Sequence, residues 1–142
     1  MKQENKELLL KDLCARSPYG VKVQYEDKVY DIDYISPTYE EIKLDSPDTN
    51  FTIDVLDIEP YLFPLSSMTK EQYDELEKLG LLNNCSHNYQ YVNPHIYGKS
   101  FMFGTFKTFS LELIDWLNAH HFDYRNLIEK GLAIDATGSN IY

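Results

Sequence analysis

The apolar positions of this chain fall into distinct rhythms, and each predicts a different element. Across residues 3–16, Leu9, Leu10, Leu13 and Cys14 recur at three- and four-residue spacing, which gathers them on one side of a helix. On this reading Cys14 is a small core residue. Ser17-Pro18 ends the helix, because proline disfavours helical geometry in the residue before it, and Gly20 completes the turn. From Val21 the rhythm changes to alternation. Val23 and Tyr25 continue it against Lys22 and Gln24, and Glu26-Asp27-Lys28 forms a hairpin turn. Tyr30, Ile32 and Tyr34 then alternate with Asp31 and Asp33 until Ser36-Pro37 breaks the strand. Residues 39–44 predict a third strand, with Ile42 and Leu44 on one face. Phe51, Ile53 and Val55 predict a fourth, after the turn cluster at 46–50. A period of two with polar partners predicts a four-stranded antiparallel meander, wet on one face. Four strands this short and this closely spaced can also curl into a barrel-like sheet.

Pro60 and Pro64 make residues 58–67 an extended crossing segment. The helix that follows is signalled at both ends. Thr69 and Gln72 have the spacing of a capping box, Met68 and Tyr73 that of a hydrophobic staple, and Gly80 with Leu81 that of a left-handed stop reaching back to Leu76. Residues 82–99 are irregular in pattern, with a short strand at 89–92, and residues 101–109 predict a further strand. Two C-terminal helices close the reading. Ser110 caps the first, from Leu111 to about His120, with Phe109 and Ile114 as its staple. Asp123 caps the second, over residues 124–130, with Gly131 as its stop. The tail 136–142 is small and polar and is expected to be loosely held. The fold class is therefore α+β, in one domain over residues 1–142.

Composition changes this picture mainly through charge. Twenty-three acidic residues against 13 basic ones give a net charge of −10 on 142 residues. Such a chain repels bare nucleic acid and anionic membrane, so direct binding to either is not expected. The carboxylates are spread among 43% hydrophobic residues, which is the composition of a folded chain rather than a disordered acidic tail. The N-terminal segment is too charged and its apolar run too short for a signal peptide or a membrane span, and a cytoplasmic location is expected. That setting disfavours a Cys14–Cys85 disulfide.

Three segments carry a family resemblance. They are Leu9-Leu10-Lys11-Asp12-Leu13-Cys14-Ala15-Arg16-Ser17-Pro18-Tyr19-Gly20-Val21, then Ile58-Glu59-Pro60-Tyr61-Leu62-Phe63-Pro64-Leu65-Ser66-Ser67-Met68-Thr69, and Asp115-Trp116-Leu117-Asn118-Ala119-His120-His121-Phe122-Asp123-Tyr124-Arg125 running on to Ala133. Together they make the chain resemble a family of small uncharacterised proteins of Bacteroides-type gut bacteria, often encoded in prophage or other mobile regions. Many members carry leucine where this chain has Ser17. The resemblance implies a setting and supplies no catalytic residue.

Candidate chemistry is sparse. His120-His121-Phe122-Asp123 is the densest reactive cluster, suited to a metal or to acid–base work. Neighbours on a helix diverge by about 100°, however, and one histidine satisfying the helix end is the simpler account. Cys85, His87, His95 and His120 are ligand types suited to zinc but lack its paired spacing. The two arginines, Arg16 and Arg125, could fork onto a carboxylate or phosphate; an ion pair with one of the many carboxylates is the plainer reading. The closing helix pair resembles a helix-turn-helix only in outline, since its second helix is short and nearly balanced in charge. Asp31 and Asp33 are expected on one solvated sheet face. Tyr19, Tyr25, Tyr30, Tyr34, Tyr39 and Tyr61 crowd the first half, where tyrosine can serve either sheet packing or a protein interface. No phosphate loop and no nucleophile elbow is present.

The sequence therefore assigns no catalytic residue, cofactor or metal, and its candidate binding residues are His120, His121, Arg16, Tyr19 and Arg125. It reads as a non-enzymatic accessory or interaction protein, a monomer or homodimer, with an acidic, tyrosine-rich surface for a basic protein partner. A DNA-imitating form of that idea suits the phage setting. The alternative is a small ligand- or metal-binding protein or enzyme with a histidine-containing pocket.

Overall fold

The computed structural model describes residues 2–81 and 110–142, which form a mixed helix and sheet fold of the α+β class. The predicted strands at 89–92 and 101–109, the staple residue Phe109 and the ligand candidates Cys85, His87 and His95 lie outside the described residues. The chain divides into two compact units, Met1–Leu62 with Arg125–Tyr142, and Phe63–Tyr124.

The first unit opens with helix α1 (Lys2–Arg16). Its buried positions are Leu9, Leu10, Asp12, Leu13 and Arg16, so the inward stripe is centred on the Leu9, Leu13 and Arg16 line. Cys14 is exposed, not a core residue; one step of about 100° beyond Leu13 carries it off the stripe. A single 3-10 turn (Ser17–Tyr19) and Gly20 at φ 73° then reverse the chain. Only glycine holds that left-handed angle without steric cost.

Strands β1 (Lys22–Tyr25), β2 (Lys28–Ser36), β3 (Glu41–Leu44) and β4 (Thr52–Asp54) form the expected antiparallel meander. Glu26 and Asp27 turn the first hairpin with φ of 48° and 64°, the primed geometry that matches strand twist. Strand β2 has one departure. Ile32 pairs with Leu44 but Tyr34 pairs with Lys43, so Asp33 is an extra residue in a bulge. The bulge shifts the alternation by one. Tyr30 and Ile32 face the core, then Ile35 does, and Tyr34 is thrown onto the solvent face. Asp31 and Asp33, expected on a solvated face, are both exposed.

The segment read as a crossing is a strand, β5 (Glu59–Pro64). Its start pairs antiparallel with β1, Val23 opposite Pro60 and Gln24 opposite Glu59. Its middle pairs in parallel with β7 (Ile134–Asp135), Tyr61 opposite Ile134 and Leu62 opposite Asp135. Strand order in this unit is β4-β3-β2-β1-β5. β4 and β5 do not pair with each other, so the sheet is open rather than barrel-like. Leu9, Leu13, Val21, Val23, Ile42, Leu44, Val55, Ile58 and Leu127 pack as one core against it.

The end of the chain is held, contrary to the loose tail expected. Ala136 N–H donates to the Leu62 carbonyl at 2.8 Å. The Tyr142 hydroxyl accepts from Lys22 N–H and donates to the Tyr61 carbonyl, both at 2.8 Å. It thus bridges β1 and β5 just beyond Pro60, which has no N–H for the ladder.

In the second unit the last residues of β5 pair in parallel with β6 (Phe122–Asp123), Phe63 opposite Phe122. Helix α2 (Lys70–Lys78) starts as its sequence dictates: Thr69 and Gln72 exchange both capping-box bonds. It ends with Gly80 at φ 74° and Leu81 N–H on the Leu76 carbonyl at 3.0 Å. Helix α3 (Leu111–Ala119) is capped by Ser110, whose hydroxyl accepts from Leu113 N–H. Met68, Tyr73, Leu76, Leu113, Trp116, Leu117 and Phe122 form the core of this unit.

The second C-terminal helix is not formed. Asp123 is a buried strand residue instead of a cap, and Asn126 adopts φ 59°, which no right-handed helix can contain. What remains is one turn. Lys130 N–H reaches the Asn126 carbonyl, and Leu132 N–H reaches the Leu127 carbonyl across Gly131. The stop signal was real, but a seven-residue helix is too short to hold on its own and yields to tertiary pairing.

Candidate functional site

Both arginines meet on one buried carboxylate. Asp12 lies one turn before Arg16 on α1, and Arg16 Nε donates to Asp12 Oδ2 at 2.7 Å with both side chains fully buried. Arg125, in the loop after β6, donates from Nη1 to Asp12 Oδ1 at 3.2 Å. The plainer reading of the two arginines, an ion pair with a carboxylate of the chain itself, is what the first unit contains. A dry carboxylate with two guanidinium groups is costly to desolvate and more costly to break; its effect is to fix loop 125 against α1. Asp12 was not singled out from the sequence. Its signal was present, since it stands three residues after Leu9 and four before Arg16, on the apolar stripe.

The histidines are in the second unit. His120 stacks on Trp116 with ring centroids 3.9 Å apart. Its Nδ1 lies 2.9 Å from the Trp116 carbonyl, and an acceptor there requires Nδ1 to carry the proton. This is the helix-end satisfaction weighed in the sequence. His121 turns the chain at φ 64° and gives its carbonyl to Phe63 N–H at 2.8 Å. Trp116 in turn donates to Glu75 at 3.2 Å and stacks on Phe122. Among the described residues no three His, Cys, Asp or Glu side chains group as metal ligands. A hollow of about 520 Å³ along α2 is lined by Glu71, Asp74, Glu75, Lys78 and Leu79. Among the described residues neither a histidine nor a cysteine lines it. The exposed Cys14 thiol is pushed up by desolvation, the opposite of an activated nucleophile.

The six clustered tyrosines split evenly. Tyr25 and Tyr30 pack against the first core and Tyr61 is buried. Tyr19, Tyr34 and Tyr39 are exposed, the last by 75%. Phe51 and Val29, also in the first unit, are about half exposed. Tyr34 owes its position to the bulge at Asp33, and Tyr39 to the turn between β2 and β3. In the same unit Asp33, Asp45, Asp48 and Asp57 are also exposed. Asp54 differs: the Lys6 ammonium at 2.9 Å and Leu56 N–H hold its carboxyl below the usual carboxylate range. Of the five candidate binding residues, Tyr19 alone therefore offers its side chain to solvent as a large contact surface.

Neither family models, nor curated proteins, nor solved structures give a match to this chain. Among the described residues no helix is long and apolar enough to cross a membrane.

Proposed function

We propose that the chain is a non-enzymatic interaction protein whose acidic, tyrosine-bearing surface binds a basic protein partner. The setting we favour is that of the gut-bacterial, prophage-type family which the sequence resembles. One observation carries the reading. The reactive side chains, Arg16, Arg125 and His120, are spent on internal contacts, while Tyr19, Tyr34, Tyr39 and Phe51 are left in water on a chain of net charge −10. Tyrosine supplies large contact area with little rotamer entropy to lose, and surplus negative charge steers and selects a positive partner. In a phage setting such a partner is a host nucleic-acid-binding protein, occupied in place of its DNA.

The test is capture of purified basic nucleic-acid-binding proteins by the immobilised chain, at low and at high ionic strength, with duplex DNA as competitor. Binding that weakens steeply with salt, competes with DNA and drops on Tyr34→Ala with Tyr39→Ala supports the proposal. No capture at low ionic strength, or capture indifferent to salt, overturns it.

A further inference from the structure

We infer that the outer edge of β4 is the docking strand of this surface, and that its occupant is an extended, Lys/Arg-rich segment of the partner, added to the sheet as a further antiparallel or parallel strand; the inference rests on the reading just proposed. β4 is the last strand in the order β4-β3-β2-β1-β5. It pairs with β3 through Glu41–Asp54, Ile42–Ile53 and Lys43–Thr52, and among the described residues no strand pairs with its other side. An unpaired edge presents a row of backbone donors and acceptors that templates another strand. Ile53 faces the core, and Thr52 and Phe51 are exposed beside the edge. Phe51, directly before the strand, is half exposed and supplies apolar area at its start.

Charge chooses the occupant. Residues 40–57 contain six carboxylates, Glu40, Glu41, Asp45, Asp48, Asp54 and Asp57, against the single Lys43, half of the net charge of the whole chain. Lys6 offsets Asp54 and Gln3 engages Glu40, but Asp45, Asp48 and Asp57 are exposed. A second copy would bring the same surplus against itself, and like charges across a strand pair destabilise it. A basic strand meets the opposite situation.

The probe is a synthetic peptide of alternating lysine and valine, offered to the full chain at low ionic strength, beside a version in which proline replaces every valine and each lysine backbone nitrogen is methylated. Together these changes keep the charge but remove the N–H groups from both edges of the peptide strand. The expected result is that the first peptide binds and slows amide exchange at Thr52, Ile53 or Asp54, while the proline version does neither at the same concentration. Asp45→Asn with Asp48→Asn, at exposed sites whose folding they spare, should weaken that binding by about three- to tenfold. Equal binding of both peptides, or protection that falls elsewhere, overturns the edge-strand inference while the acidic-surface reading stands. Failure of both peptides to bind overturns the two together. Self-association of the chain with protection at β4 also overturns it, since the edge would then belong to a second copy.

Discussion

Asp12 accepts from both arginines of the chain in a site with no exposed carboxylate oxygen to fall back on. Asp12→Asn leaves two guanidinium groups facing a neutral amide, so it should cost about 3–5 kcal/mol, read as a lower urea midpoint at unchanged slope. Arg16→Lys should not be conservative, because an ammonium cannot reproduce the directed Nε bond. A loss under about 1 kcal/mol, the size of a surface pair, would show that the cluster does not organise the unit. Tyr142 acts at the other end of the chain. Burial pushes its phenol up to about 12 from an ordinary 10. The bonded form is the protonated one. Below pH 10 both folded and unfolded chains keep that proton, and the contribution is complete. Between about 10 and about 12 the unfolded chain releases it while the folded chain does not, so stability falls as pH rises and the contribution is gone above that window. Tyr142→Phe should lose about 1 kcal/mol near neutrality and flatten that alkaline fall, as a series of denaturation curves across pH would register.

At the scale of elements, the first hairpin carries a correctable strain. Glu26 and Asp27 both sit at positive φ, where a residue with a Cβ costs about 1–2 kcal/mol and Asn-Gly is the natural pair. Glu26→Asn with Asp27→Gly should therefore raise stability by about 1 kcal/mol, measured by thermal unfolding, and a fall would mean that the Glu26 or Asp27 side chain makes a contact worth more than the strain. This hairpin was legible because Gln24 and Tyr25 hand over directly to Lys28. The caps of α2 were legible for a similar reason, since Thr69, Gln72, Gly80 and Leu81 act within a few residues of one another. The bulge at Asp33 was not. One inserted residue leaves Tyr30, Ile32 and Tyr34 in perfect alternation on paper and still turns Tyr34 outward. Strands β6 and β7, of two residues each, have no period to read, and once β6 pairs with β5 the helix signalled by Asp123 has lost its first turn. The candidate site was legible to the same local depth: His120 at a helix end could be foreseen, whereas the meeting of Asp12 with Arg125 spans most of the chain.

For the molecule as a whole, charge governs two properties in opposite directions. The ion pairs with solvent access among the described residues, the half-buried Lys6–Asp54 and the more exposed Lys22–Asp31 and Lys70–Asp74, are each worth about 0–1 kcal/mol and weaken with salt. Against them stands a surplus of ten negative charges, whose mutual repulsion is also screened once the Debye length shortens to about 10 Å at 0.1 M salt. Repulsion acts between every pair of surplus carboxylates, attraction only within a few contacts, so screening should relieve more than it removes. Raising sodium chloride from low to moderate concentration is therefore expected to increase the unfolding midpoint. The same addition should weaken a complex held by opposite charges. Following unfolding and partner capture in one salt series separates the two effects, because a chain that merely came apart in salt would lose both together. A midpoint that falls with salt would place the attractive pairs above the surplus. Capture that strengthens with salt would overturn the charge-steered reading and leave Tyr34, Tyr39 and Phe51 as an apolar docking surface, with the carboxylates left to repel competitors and other copies of the chain.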